Sequence, residues 1–196
     1  MLTLGSLNRL IDTVDACPWG TSAGCAQVHF AKPRADRHPR PPLYTPEERA
    51  RRDASPWTVV QGILAPLQFA VFLVSLALVI RFLVTGEGQL LAEISVIAKT
   101  IVLYTIMITG AIWEKDVFGR YLFARPFFWE DVFSMLVIAL HTAYLVMLIF
   151  AIGDAREQMA VALAAYAAYV VNAAQFVLKL RQARRDEAAL SARAAA

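Results

Sequence analysis

Four long apolar runs separated by short polar stretches constrain this chain more than any other feature of it. Each approaches the roughly 20 residues that a helix rising about 1.5 Å per residue needs to cross a hydrocarbon core. Within a bilayer the backbone N–H and C=O groups must bond inside their own segment, so runs of this kind become helices. The expected spans are Trp57 to Val84, Ala92 to Trp113, Glu130 to Ile152 and Met159 to Leu180. Composition agrees, with 58% of the residues hydrophobic and 18% charged, which is too apolar for an ordinary soluble domain. The expected fold class is all-α: a polytopic membrane protein with four transmembrane helices, a short N-terminal interfacial helix, and the lipid bilayer as solvent.

That short helix should start at Thr45, a good N-cap residue, with Pro46 suited to the first helical position and Glu48 three residues after the cap. Residues 1–42 differ in character, mixing Gly, Ser, Pro, Arg and His without an apolar period, and are expected to be a disordered tail or the product of a start codon placed too far upstream. They lack the apolar core of a signal peptide. Cys17 and Cys25 fall there, bridged or free, without zinc-site spacing. The membrane domain is expected over residues 43–184 and a solvated tail over 185–196. The net charge is only +3, and the basic residues form small clusters beside the apolar runs, which suits topology control and argues against a nucleic-acid partner. Arg49, Arg51 and Arg52 precede span one, Lys115, Arg120 and Arg125 lie between spans two and three, and Lys179 to Arg185 follow span four. By the positive-inside rule both termini and the central loop are expected in the cytoplasm.

Polar residues inside the spans mark the faces turned away from lipid, because an amide facing lipid loses its hydrogen bonds. Gln61, Gln68 and Ser75 recur every seven residues on one helix face. Glu130, Ser134, Val137, His141 and Tyr144 form a narrow stripe on span three, with His141 near mid-membrane, and span four carries Tyr166, Tyr169, Asn172 and Gln175. Lys99 is expected to snorkel outward or to meet Glu93. The stretch from Trp113 to Phe133 holds four acids, Glu114, Asp116, Glu130 and Asp131, and repeats a Trp-Glu phrase at its two ends. One reading is an aromatic belt with ordinary charged helix ends. The other is a pair of carboxylates beside a pocket that opens inward and collects Gln61, Gln68, Glu114, Glu130, Asp131, Asn172 and Gln175.

The chain has no Gly-rich phosphate loop, nucleophile elbow, H-E-x-x-H or cysteine cluster motif. What remains is acid–base chemistry by carboxyl groups at a half-buried site, where one of them can keep a transferable proton, together with a lone histidine able to ligate a metallated macrocycle. The segments L-Y-T-P-E-E-R-A-R-R-D, W-T-V-V-Q-G-I-L-A-P-L-Q-F, V-L-Y-T-I-M-I-T-G-A-I-W-E-K-D-V-F-G-R-Y-L-F, F-F-W-E-D-V-F-S-M-L, A-L-H-T-A-Y and A-A-Y-V-V-N-A-A-Q-F resemble the 3-vinyl bacteriochlorophyllide hydratases of bacteriochlorophyll biosynthesis. The similarity runs from Leu43 to about Arg184 and includes polar as well as apolar positions.

The resemblance implies addition of water to the C3 vinyl group of a chlorophyllide-type tetrapyrrole, giving a 1-hydroxyethyl group, with no cofactor beyond the magnesium that the substrate carries. It also implies a bacterial inner, intracytoplasmic photosynthetic membrane, and neighbouring bacteriochlorophyll-synthesis enzymes as partners. Glu114, Glu130 and Asp131 are the expected catalytic acids and bases. His141, Gln61, Gln68, Asn172, Gln175 and Tyr144 are expected around the substrate, with His141 placed to ligate its magnesium; no protein-bound metal is expected. The competing class is a non-enzymatic tetrapyrrole-binding or photosystem-assembly protein whose acids only cap helices.

Overall fold

The computed structural model describes residues 43–194. The expectations for residues 1–42, including Cys17 and Cys25, lie outside the described residues. Five helices follow one another: α1 over Pro46–Ala54, α2 over Pro56–Thr85, α3 over Gln89–Phe118, α4 over Phe128–Ile149 and α5 over Ala155–Ala194. A single 3-10 turn, Arg125–Phe127, leads into α4. Helices α2 to α5 are the four long and apolar enough to cross a membrane. The chain is therefore a multi-pass membrane protein, as its apolar runs predict.

Helix α1 starts where the cap predicts. The Thr45 hydroxyl accepts from the Glu48 N–H at 3.2 Å and the Glu48 carboxylate accepts from the Thr45 N–H at 2.8 Å, a reciprocal capping box. Ser55, in extended conformation, separates α1 from α2. At the other end of α2, Gly86 and Gly88 both take left-handed backbone angles, φ 74° and 80°, which lets the chain reverse at once into α3. Helix α5 also opens on a capping box, in which Asp154 and Glu157 each accept the other's N–H, at 2.8 and 2.9 Å.

The bundle is made of two hairpins, α2–α3 and α4–α5, which meet along a seam where α2 faces α5 and α3 faces α4. Its core combines Phe72, Val79, Val96, Leu103, Val137, Tyr144, Met159 and Tyr166, while Val59, Ile63, Ile101, Ile108 and Val170 point outward as a lipid-facing surface would. A second cluster closes the end that carries α1. There Tyr44 stacks on Phe118 at 5.8 Å, and Trp113 and Phe127 meet edge to face at 5.6 Å.

Two boundaries differ from the sequence reading. Span three ends at Ile149 rather than Ile152, because the chain turns through Ala151 with φ 50° before the Asp154 cap. Span four does not stop at Leu180: helix α5 continues to Ala194. On that extension Asp186 accepts the Leu43 N–H at 3.3 Å and Glu187 pairs with Arg52 at 2.8 Å, so charged residues that read as solvated tail dock against the start of the domain.

Candidate active site

Antiparallel packing stacks the inward-facing polar residues in layers. The layer nearest α1 holds the acids. Glu114, one turn before the end of α3, and Asp131, in the first turn of α4, are 5% and 3% exposed, and their carboxyl groups are neighbours placed for a hydrogen bond to each other. Such a bond requires a proton on one of the two, since carboxylate oxygens only accept. The connecting loop completes the arrangement. The Phe123 N–H donates to Asp131 at 2.6 Å and the Ala124 N–H to Glu114 at 3.2 Å. Phe123 presents its N–H from a left-handed conformation, φ 60°, uncommon for a bulky residue.

Glu130 belongs to the same layer but faces α5, where its carboxylate lies 3.8 Å from the Lys179 ammonium, both groups nearly inaccessible. The sequence reading paired Glu114 with either Glu130 or Asp131. The structure brings it to Asp131 and gives Glu130 a cationic neighbour instead. Lys179 is the residue that sequence reasoning missed here, having been assigned to the basic cluster after span four. Its signal was present, because it follows Asn172 by seven residues and so shares that residue's inward face.

One layer further in, Asn172 donates to the Ser134 hydroxyl at 2.9 Å and Gln175 is 1% exposed. Gln61 bonds across the α2–α3 interface to Thr109 at 2.8 Å, and Trp113 reaches Thr58 on α2 at 2.9 Å. At this end Trp113 is thus part of the internal packing, whereas a belt residue would face lipid. Gln68 is 2% exposed, and neither its amide nitrogen nor its oxygen has a hydrogen-bond partner among the described residues.

At mid-depth the predicted α4 stripe is buried along its whole length: Glu130, Ser134, Val137, His141 and Tyr144 are each at most 1% exposed. His141 Nδ1 lies 2.8 Å from the Val137 carbonyl. A carbonyl oxygen only accepts, so Nδ1 carries the proton and Nε2 keeps its lone pair. Nε2 has no protein partner among the described residues, and neither has the Tyr144 hydroxyl. Tyr166 bonds to Ser75, which bonds to Ser95 at 2.7 Å.

Lys99 departs furthest from expectation. It does not snorkel, nor does it meet Glu93, whose carboxylate accepts from Gln89 at 2.6 Å. It is 0% exposed, with its ammonium 3.9 Å from the centre of the Tyr169 ring. The physical reason is its place on α3. Ala92, Val96, Lys99 and Leu103 are all buried, and their four-three-four spacing is that of a helix seam.

Of the residues expected around one inward-opening pocket, Gln68, Glu114, Glu130, Asp131, Asn172 and Gln175 are buried within the bundle and Gln61 is half-buried. A shallow apolar groove of about 230 Å³ lies on the outside, between α2 and α5, lined by Phe72, Leu76, Leu163, Tyr166, Ala167 and Val170.

Fold and site together define a class: a polytopic helical membrane protein with a cluster of buried acids at one end of its bundle and, among the described residues, buried polar atoms without hydrogen-bond partners at mid-depth. More particularly, the chain belongs to the 2-vinyl bacteriochlorophyllide hydratase family, whose model matches residues 44–182. A 2-vinyl bacteriochlorophyllide hydratase of Rhodobacter capsulatus is 66% identical over 157 residues, covering 80% of this chain and 91% of the relative. One of the same description from Cereibacter sphaeroides is 63% identical over 155 residues, covering 79% and 96%. No solved structure matches the chain.

Proposed function

We propose that this protein hydrates the ring vinyl group of a chlorophyllide-type tetrapyrrole in bacteriochlorophyll biosynthesis, as a hydro-lyase. The vinyl is the same substituent whether ring numbering makes it position 2 or 3. The single observation that carries the mechanism is the buried pair of neighbouring carboxyl groups, Glu114 and Asp131.

Hydration requires a proton on the terminal vinyl carbon, which becomes a methyl group. The cation left on the carbon attached to the ring is delocalised into the macrocycle. Water adds there and loses a proton to a base, so one water is consumed and no electrons leave the substrate; the step therefore calls for no redox cofactor. The Glu114–Asp131 pair shares the proton to be delivered, and Glu130, opposite Lys179, receives the proton from water. Two carboxyl groups in different surroundings are what such a division of roles requires. The lone pair of His141 Nε2 is suited to the substrate's magnesium. Gln68, Asn172 and Gln175 are suited to hold water or the ring's keto groups, and Gln61 borders them. Tyr144 offers a hydroxyl at mid-depth. The protein acts in the bacterial inner, intracytoplasmic photosynthetic membrane, beside the enzymes that supply and use its tetrapyrrole, with the acids at the cytoplasmic face.

The test is to mix detergent-purified protein with chlorophyllide a. A blue shift of the long-wavelength absorption band, with a product heavier by one water, is expected as the conjugated vinyl is lost. Unchanged absorption and mass, with pigment demonstrably bound, would favour the non-enzymatic pigment carrier.

A further inference from the structure

We propose that Lys99 is the anchor for the substrate's free propionate carboxylate, and so selects the unesterified acid. The inference rests on the hydratase reading for the identity of the ligand and on the Lys99 surroundings for the site. The ammonium is wholly buried and has no hydrogen-bond partner among the described residues. It lies over the face of Tyr169, 3.9 Å from the ring centre, which offsets only part of the cost of burying a cation. Glu93, the nearest acid along its own helix, is engaged with Gln89. Glu130 lies a layer away beside Lys179. A lysine kept in the middle of a membrane bundle without an anion marks a place where an anion arrives.

The ligand's chemistry fits this place. A chlorophyllide carries one carboxyl group, on its propionate arm, and esterification with a long alcohol removes that charge. The spacing fits as well. Tyr169, against Lys99, and Lys179, against Glu130, are ten residues apart on α5, about 15 Å at 1.5 Å per residue, the scale of a macrocycle with its substituents. Phe72 and Tyr169, with ring centres 4.9 Å apart, stand between the ammonium and the outer groove, while Phe72 and Tyr166 line that groove. Parting the seam between the hairpins at these rings lets a flat macrocycle enter from the lipid side with its carboxylate toward Lys99.

The experiment compares chlorophyllide a with its methyl ester, by absorption titration and by turnover, on the full-length protein in detergent. Wild type is expected to bind the acid at least tenfold more tightly than the ester. Lys99→Met, which removes a buried charge and keeps the stem, is expected to bind both with the ester's affinity, and Lys99→Arg to restore part of the preference. Equal affinities for acid and ester in wild type overturn the assignment whether or not any variant folds. So does a Lys99→Met protein that keeps the preference. Because binding is read separately from turnover, wild type that binds but hydrates neither compound counts against the hydratase reading alone, and the acid–ester comparison still decides Lys99.

Discussion

The Glu114–Asp131 contact is where this chain departs from ordinary membrane-protein economy: two acids are buried side by side and each is held by a backbone N–H of the same loop. Groups that share a proton act as one unit, so Glu114→Gln and Asp131→Asn are each expected to lower turnover by about 10²- to 10⁴-fold. The double variant should lose little more than either single one. Chlorophyllide binding should persist in all three, because the amides keep size and hydrogen bonding; near wild-type turnover in both single variants would reject the carboxyl mechanism. His141 behaves differently. If its Nε2 meets the substrate's magnesium, His141→Ala weakens binding in a spectral titration and leaves the single-turnover rate of bound substrate nearly unchanged, and an unaltered binding constant rejects that role. The burial of the carboxyls and the histidine was legible in the sequence because each is a polar residue at the end of, or inside, an apolar run, where a lipid-facing placement is costly. The fate of Lys99 was not legible. Lysine has a stem long enough to snorkel, and only the packing of the whole bundle around α3 decides that it turns inward. Nor could the sequence separate Asp131 from Glu130 as the partner of Glu114, since adjacent residues at a helix start differ by about 100° in direction and the loop geometry makes the choice.

Among the elements, the loop from Gly119 to Ala124 is the one that shapes the site. Phe123 holds a left-handed conformation that costs an L-residue about 1 to 2 kcal/mol. Phe123→Gly removes that cost and should leave the Asp131 contact in place, whereas the β-branched Phe123→Ile resists the conformation and should lower turnover while the spans still insert. Equal turnover in the two variants would show that the backbone N–H is dispensable. Helix α1 and the extension of α5 act together at the same end. Burial pushes the Tyr44 phenol up to about 12 against the pull of the neighbouring Arg52 guanidinium, which lies 4.9 Å from the centre of its ring. A phenol whose value is raised on folding favours the docked state fully below its ordinary value of 10, and that contribution fades as the pH rises from there toward 12. Wild type is therefore expected to loosen α1 in that window, seen as a change in Trp113 fluorescence that is smaller in Tyr44→Phe. The α1 start was readable from Thr45, Pro46 and Glu48 because capping is local chemistry. The length of α5 was not readable. Its last turns are polar and gain their partners, Leu43 and Arg52, from the far end of the domain in sequence.

At the scale of the molecule, the buried acids and the docking contacts lie toward one end. The acid pair, Lys179, α1, the loop between α3 and α4, and the charged end of α5 are gathered there, while the turns at Gly88 and Asp154 form the opposite end. The basic residues follow the same division: Arg49, Arg51 and Arg52, then Lys115, Arg120 and Arg125, then Lys179, Arg181, Arg184 and Arg185 belong to the first end, against Arg81 and Arg156 near the second. Positively charged loops are generally retained in the cytoplasm, so the bias predicts a cytoplasmic first end, with α1 and the end of α5 on the same side after an even number of spans. Reporters fused at Gly88 and at Asp154 are accordingly expected to be active in the periplasm and one at Arg120 in the cytoplasm. If the reporters read so, the proposed mechanism expects protons and water to reach the Glu114–Asp131 pair from the cytoplasmic side and the macrocycle to come from the bilayer. A periplasmic signal at Arg120 would invert the molecule, turn the acid layer outward, and require the proton for the vinyl group to come from the opposite compartment.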